Sequence, residues 1–207
     1  DWSSDVCSSD LPRPGAAQSE LRIGHVGVAR TTPDYHALVA ANMVLGGQFT
    51  SRLNMNLRQD KGYTYGARSS FDFRRQPGPF SAQVSVQTAV TVPAIKETLL
   101  EIEAIRGSRP VTLDELGHGI AALTRGYARN FETAEQLARA ATQFALYDLP
   151  DTYFDDFVPR LERVTVDDVT RAAAQHLDPS RLTVLAVGDY FAVSKGLPSL
   201  NLGAAQV

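Results

Sequence analysis

Between Leu45 and Gly66 the chain sets glycines, Arg58 and the tyrosines Tyr63 and Tyr65 around the junction of an expected short helix and an expected strand. Arg58 falls at the end of that helix, and Tyr65 lies seven residues further on. A guanidinium offers a planar fork of donors and a phenol adds one more, so the two together could grip a peptide carbonyl or a developing oxyanion. Each also has an ordinary structural reading. Arg58 at a helix end complements the dipole. Tyr65, on the same strand face as Phe71 and Phe73, reads as a core aromatic. Tyr63 reads as packing, and Arg52 as half of a structural ion pair.

Nothing elsewhere in the sequence completes a catalytic set. The four histidines, His25, His36, His118 and His176, include no pair three or four residues apart that would suit a helical metal site. There is no His-Glu-x-x-His, in either direction, and no Gly-x-Ser-x-Gly. The Asp155-Asp156 and Asp167-Asp168 pairs sit at helix starts, where the dipole explains them. Gly24-x-x-Gly27 and Gly46-Gly47 are too short to cradle a phosphate.

The elements that must position Arg58 and Tyr65 follow from patterning. Residues 21–28 form a strand. Thr32 caps a helix that carries Pro33 in its first turn, runs through Leu45 and stops at Gly46-Gly47. A short helix over 51–60 places Phe49, Leu53 and Leu57 on one stripe. Residues 63–73 alternate, with Tyr63, Tyr65, Ala67, Ser69, Phe71 and Phe73 on one face, and a turn at 74–79 returns to a strand with Phe80, Ala82, Val84 and Val86 on one face. Val92–Arg106 turns Ile95, Leu99, Ile102 and Ile105 inward. Thr112/Glu115 and Thr133/Gln136 are capping boxes opening helices that end near Phe131 and Tyr147. Two more helices open at Pro150-Asp151 and at Thr165, and the apolar run 181–188 reads as a buried central strand. Strands, then helices, then a returning strand describe an α+β fold: a mostly antiparallel sheet covered on one face by helices.

Composition narrows the function classes. The 20 Lys and Arg against 23 Asp and Glu give a net charge of −3, too little positive field for nucleic-acid binding. No apolar run is long enough for a membrane span. The lone Cys7 excludes an internal disulfide. It lies in residues 1–10, which repeat Ser-Ser-Asp and read as an adapter artefact or a disordered polar tail. Residues 192–207 are expected to form a flexible carboxy-terminal tail.

The run Leu45-Gly46-Gly47, Ser51-Arg52-Leu53, Leu57-Arg58 and Lys61-Gly62-Tyr63-Thr64-Tyr65-Gly66 resembles the carboxy-terminal, zinc-free domain of the insulinase/pitrilysin (M16) metallopeptidases. The resemblance extends from about Pro14 to Asp189, through Pro77-Gly78-Pro79-Phe80, Phe131-Glu132-Thr133 and Leu149-Pro150-Asp151, so that 11–191 is expected to be one such domain. It implies an M16-like α/β roll and an amino-terminal partner half or subunit that carries zinc on His-x-x-Glu-His. It also implies a peptide substrate, and an active-site pair that falls on Arg58 and Tyr65. Gly46 and Gly47 then become a helix stop and a close-approach point for that partner. This half would be inactive alone, and the compartment stays open between bacterial periplasm and cytoplasm. The alternative is a non-proteolytic scaffold subunit of the same family, which would have no need of both Arg58 and Tyr65.

Overall fold

The structure, a computed structural model, describes residues 13–203. Residues 1–10, expected to be an artefact or a polar tail, lie outside them.

Strand β1 (Gln18–Val26) alternates strictly, turning Ser19, Leu21, Ile23 and His25 inward. After β2 (Ala67–Phe71), β3 (Pro79–Gln87) buries Phe80, Ala82, Val84 and Val86 on one face, as its period-two pattern requires. With β4 (Thr183–Val187) these strands form one antiparallel sheet in the order β2-β3-β1-β4. Register places Leu21 and Ala67 on either side of Val84, and Ile23 and Ser69 on either side of Ala82.

Helices α1 (Tyr35–Asn42), α2 (Arg52–Asn54) and α3 (Thr91–Glu103) close the apolar face, with α7 (Val166–His176) behind α1. Leu38, Leu45, Leu53, Leu57, Ile95 and Ile102 are almost wholly shielded from solvent. Each such aliphatic side chain contributes roughly 1.5–3 kcal/mol on burial. Between α3 and α7 lie α4 (Leu113–Thr124), α5 (Ala134–Tyr147) and α6 (Tyr153–Glu162). The capping boxes expected at Thr112 and Thr133 are both formed, and Thr165 forms a third with Asp168.

Four expectations are corrected. Thr32 is not the cap of α1: the helix begins at Tyr35 after Asp34, whose carboxylate instead pairs with Arg171 and His176 on α7. That pairing, the Arg171 hydrogen bond above all, holds the Asp34 carboxyl below its usual range. The helix expected to reach Phe131 stops at Thr124, followed by a tighter turn over Tyr127–Phe131. β2 starts at Ala67 rather than at Tyr63. The returning strand β4 is an edge strand, paired only with β1 among the described residues, and its Leu185 and Val187 are 57% and 52% exposed. An apolar run of strand length signals burial without saying which element supplies the cover. Within the span expected to be a tail, Leu197–Leu200 makes a helical turn whose Leu200 packs against the core.

Candidate functional site

The site is built on the segment from α2 to β2. α2 continues into a wider π-helical turn, Met55–Asp60, which carries Arg58. Gly62 then takes a left-handed φ of 66°, where a glycine avoids the Cβ clash, and the Tyr63 N–H returns to the Leu57 carbonyl at 2.8 Å. This stop converts a helix into the extended loop 63–66 that presents Tyr65.

Three polar anchors fix that segment. Arg52 is 6% exposed, and its guanidinium forms a two-point pair with Glu115, Nε–Oε1 and Nη2–Oε2 both at 2.7 Å. It also donates to the Arg109 carbonyl at 2.6 Å and the Pro110 carbonyl at 3.0 Å, satisfying a fork of donors that burial would otherwise penalise. Hydrogen bonds from Arg52 are the main reason that Glu115 titrates at about 2. Arg52 is therefore the structural ion-pair residue the sequence suggested. Asn54, also buried, accepts from the Ala67 N–H at 2.9 Å and donates to the Ala67 carbonyl at 2.7 Å. A side-chain amide thereby stands in for a neighbouring strand. Thr64 donates to the Ser85 carbonyl at 2.7 Å and accepts from the Gly66 N–H at 3.1 Å, tying the Tyr65 loop to β3.

Between the Asn54 and Thr64 anchors, Tyr65 is 94% exposed. The alternation that put it on the face of Phe71 and Phe73 ends at Ala67, so Tyr65 is not a core aromatic. Tyr63 does pack against the core, as expected. Arg58 is half-buried, and its guanidinium carbon lies 4.1 Å from the centroid of the Phe49 ring. Phe49, expected on the apolar stripe of the short helix, lies outside it and is 66% exposed. It forms an aromatic base under the Arg58 cation, worth about 0.5–1 kcal/mol at an exposed site. Among the described residues neither the Arg58 guanidinium nor the Tyr65 hydroxyl has a hydrogen-bond or ion-pair partner in the protein. The two side chains belong to one short segment but do not bond to each other.

Sequence reasoning missed Asn54, Thr64 and Phe49. Gly46 is a close-approach point within this chain: a Cβ there would lie 2.4 Å from the Ser69 nitrogen on β2. Gly47 does end the helical turn, at Gly47–Gln48.

A shallow cleft of about 380 Å³ flanks the loop that carries Phe49, lined by Gln48, Thr50, His118 and Arg125. A larger one of about 560 Å³ lies between α5 and α6, bounded by Phe144, Phe154 and Asp155, and none of Phe49, Arg58 or Tyr65 lines it. No group of three or more His, Cys, Asp or Glu side chains among the described residues could hold a metal ion, so the residues present do not fit zinc. No helix among them is long and apolar enough to cross a membrane.

Residues 7–123, more than half of the chain, match the family model described as the peptidase M16 inactive domain. An uncharacterised zinc protease of Streptomyces coelicolor is 25% identical over 171 residues, which are 83% of this chain and 37% of that protein. The chain thus spans little more than a third of this curated relative. The structure resembles the peptidase M16 inactive domain from Pseudomonas fluorescens, with a TM-score of 0.78 at 24% identity over 84% of this chain and 42% of that one. It also resembles the inactive peptidase domain from Bordetella parapertussis, with a TM-score of 0.70 at 20% identity over 86% of this chain and 96% of that one.

Proposed function

The chain belongs to the M16 peptidase inactive-domain family, and on that premise we propose that it is the substrate-holding half of a two-part zinc peptidase. It completes the active site of an amino-terminal half or subunit bearing His-x-x-Glu-His. The metal chemistry of such an enzyme rests with that other half. This chain contributes two donors: Tyr65 to the oxyanion that develops on the scissile carbonyl, and Arg58 to the substrate backbone beside it.

The observation that carries this reading is the way Tyr65 is held. It is an aromatic residue with 94% of its surface in solvent, on a loop fixed by Asn54 on one side and Thr64 on the other. An exposed phenol adds little to folding, yet the backbone on both sides of it is tied down, at Ala67 by Asn54 and at Thr64 by the Ser85 carbonyl. Such fixing keeps a donor where charge will appear, at no reorganisation cost during reaction. Arg58 likewise has no hydrogen-bond or ion-pair partner among the described residues, and its guanidinium lies over the Phe49 ring. A scaffold subunit, the other reading of the sequence, would require neither.

The test is Tyr65→Phe in the assembled two-half enzyme. Turnover is expected to fall about 10²–10³-fold with a smaller change in KM, the signature of a donor used in the transition state. Unchanged turnover overturns the assignment.

A further inference from the structure

The Phe49 ring beneath the Arg58 guanidinium belongs to a loop whose other two residues, Gln48 and Thr50, line the cleft of about 380 Å³. The rest of that lining comes from the carboxy-terminal part of α4 and its cap: His118, Ala121, Ala122 and Arg125. The cleft is at the small end of the range for ligand sites, and the two alanines keep its α4 side free of bulk. No carboxylate is part of the lining. His118 lies 3.5 Å from Asp114 on its own helix, so its nearest charge is already answered. Arg125 brings the permanent charge.

Arg125 is the C-cap of α4, and its N–H returns to the Ala121 carbonyl at 3.0 Å. Its side chain is exposed and has no hydrogen-bond or ion-pair partner among the described residues. A cation at a helix C-terminus complements the dipole, and that alone needs no ligand. The way α4 is held adds a second reason. Its first turn is fixed to α2 by the Arg52–Glu115 pair at 2.7 Å. Further along, Gly119 is buried, and a Cβ there would lie 3.3 Å from the Met43 Cβ, in the turn Met43–Gly47 that leads into Gln48. Glycine inside a helix lowers its stability, and here it lets α4 close onto that turn. Arg125 therefore rides on an element locked to the segment that carries Arg58, and both guanidinium groups border one three-residue loop without a carboxylate to pair with.

We propose that this cleft is a side-chain subsite of the peptide-binding site, in which Arg125 selects an aspartate or glutamate of the substrate next to the stretch of backbone that Arg58 holds. This rests on the substrate-holding role given to Arg58 above and adds the class of peptide, an acidic one. A carboxylate matches the planar fork of the guanidinium, while the Gln48 amide and Thr50 hydroxyl offer further donors in the same lining. A lysine or arginine side chain would meet like charge there, and an uncharged amide would forgo the ion pair. Because the carboxylate keeps its charge throughout the reaction, the preference belongs to binding and is read in KM.

The test is cleavage by the assembled two-half enzyme of carboxy-terminally amidated peptides that differ only in carrying Glu, Gln or Lys at one position, scanned along both sides of the scissile bond. Amidation leaves the side chain as the sole source of a carboxylate at the varied position. At one position Glu should exceed Gln by about 5-fold in kcat/KM, mostly through KM, and Lys should fall below Gln. Arg125→Gln should bring the Glu-to-Gln ratio to one, Arg125→Lys should keep most of it, and Arg125→Glu should turn the preference toward Lys. Arg129→Gln, which removes an equal charge outside the cleft lining, should leave the ratio as it was. No Glu preference at any position overturns the proposal, as does a preference that survives Arg125→Gln or is lost equally in Arg129→Gln. The Gln peptide with Tyr65→Phe reports on the substrate-holding reading alone, so the two can fail separately. If the assembled enzyme cleaves none of the peptides, that reading fails. Equilibrium binding of the same peptides, fluorescein-labelled, to the 207-residue chain then reads the ratio without catalysis, and equal affinity for Glu and Gln peptides there overturns the subsite.

Discussion

Along the β2 edge the backbone of Ala67 is closed off by the Asn54 side chain and the strand is crowded by Gly46, whereas along the β4 edge no strand among the described residues meets the outer main chain, and Leu185 and Val187 are exposed. Both edges lie in one antiparallel sheet, so the difference lies in their side chains and not in their topology. Under the role proposed for Tyr65, the β2 edge has to be finished within its own half, because the donor must stand in position before any substrate arrives. Polar closure at one edge and exposed apolar side chains at the other are the two signatures.

The first way to break this comparison is to remove the deepest polar anchor of the β2 side. Arg52→Ala removes a buried guanidinium, leaves the Arg109 and Pro110 carbonyls without these donors and leaves Glu115 bonded only to Thr112, and should lower stability by about 3 kcal/mol. For a domain of this size that corresponds to a fall in melting temperature of roughly 6–12 °C. Leu185→Ser at the bare edge should cost no more than about 0.5 kcal/mol in the same chain, because that side chain meets solvent. Thermal denaturation of the two variants side by side reads the contrast. Equal losses would mean that the two edges do not differ as described.

The unequal legibility of these edges has a physical origin. Period-two alternation gave β3 and its inward residues, and the Thr112 and Thr133 capping boxes gave helix starts, because both signals are local and carried by a few residues, whereas the strand expected over 21–28 is shifted in β1 to Gln18–Val26. Arg58 and Tyr65 were visible as a pair of residue types at a spacing that resembles the family pattern. What surrounds them was not. Asn54 bonds to Ala67 and Arg52 to Glu115, contacts that span 13 and 63 residues and follow no periodicity. The end of alternation at Ala67 is decided by Gly62 and by the Thr64–Ser85 bond, so Tyr65 looked like a continuation of β2. β4 looked central because its composition is that of a central strand, and among the described residues only β1 stands beside it.

A second, smaller effect sharpens the β2 side through pH. Glu115 has its pKa drawn from 4.5 to about 2, chiefly by hydrogen bonds from Arg52. A carboxyl whose folded pKa is depressed contributes fully above its unfolded pKa and loses that contribution as pH falls through the folded value. The Arg52–Glu115 pair is therefore fully stabilising above about pH 4.5 and weakens progressively toward pH 2. Glu115→Gln should cost about 1.5 kcal/mol near pH 6, an effect trimmed by the exposed fraction of this carboxylate, and nearly nothing at pH 2. Asp34, also depressed through its own partners, is common to both proteins and cancels in the comparison. Melting temperatures between pH 6 and pH 2 should converge; a constant gap would separate Glu115's role from its charge.

The smallest effect expected is at Phe49, and it distinguishes a positioned cation from a merely exposed one. Phe49→Leu keeps an apolar side chain of similar bulk but removes the ring face that lies 4.1 Å from the Arg58 guanidinium carbon. Because Phe49 is 66% exposed, little core packing is lost and the melting temperature should hardly move. What is lost is about 0.5–1 kcal/mol of attraction that keeps Arg58 in one orientation, which converts to a roughly 2–5-fold fall in kcat/KM for the assembled enzyme. If Arg58 holds substrate backbone in both ground and transition states, the fall should appear mostly in KM, in contrast to the kcat loss expected at Tyr65. A Phe49→Tyr variant, which restores the ring face, should recover most of the loss. A defect in Phe49→Leu that Phe49→Tyr does not recover would mean that the loop around Phe49, rather than the cation above it, sets the affinity. The β2 edge would then position its phenol but not its guanidinium.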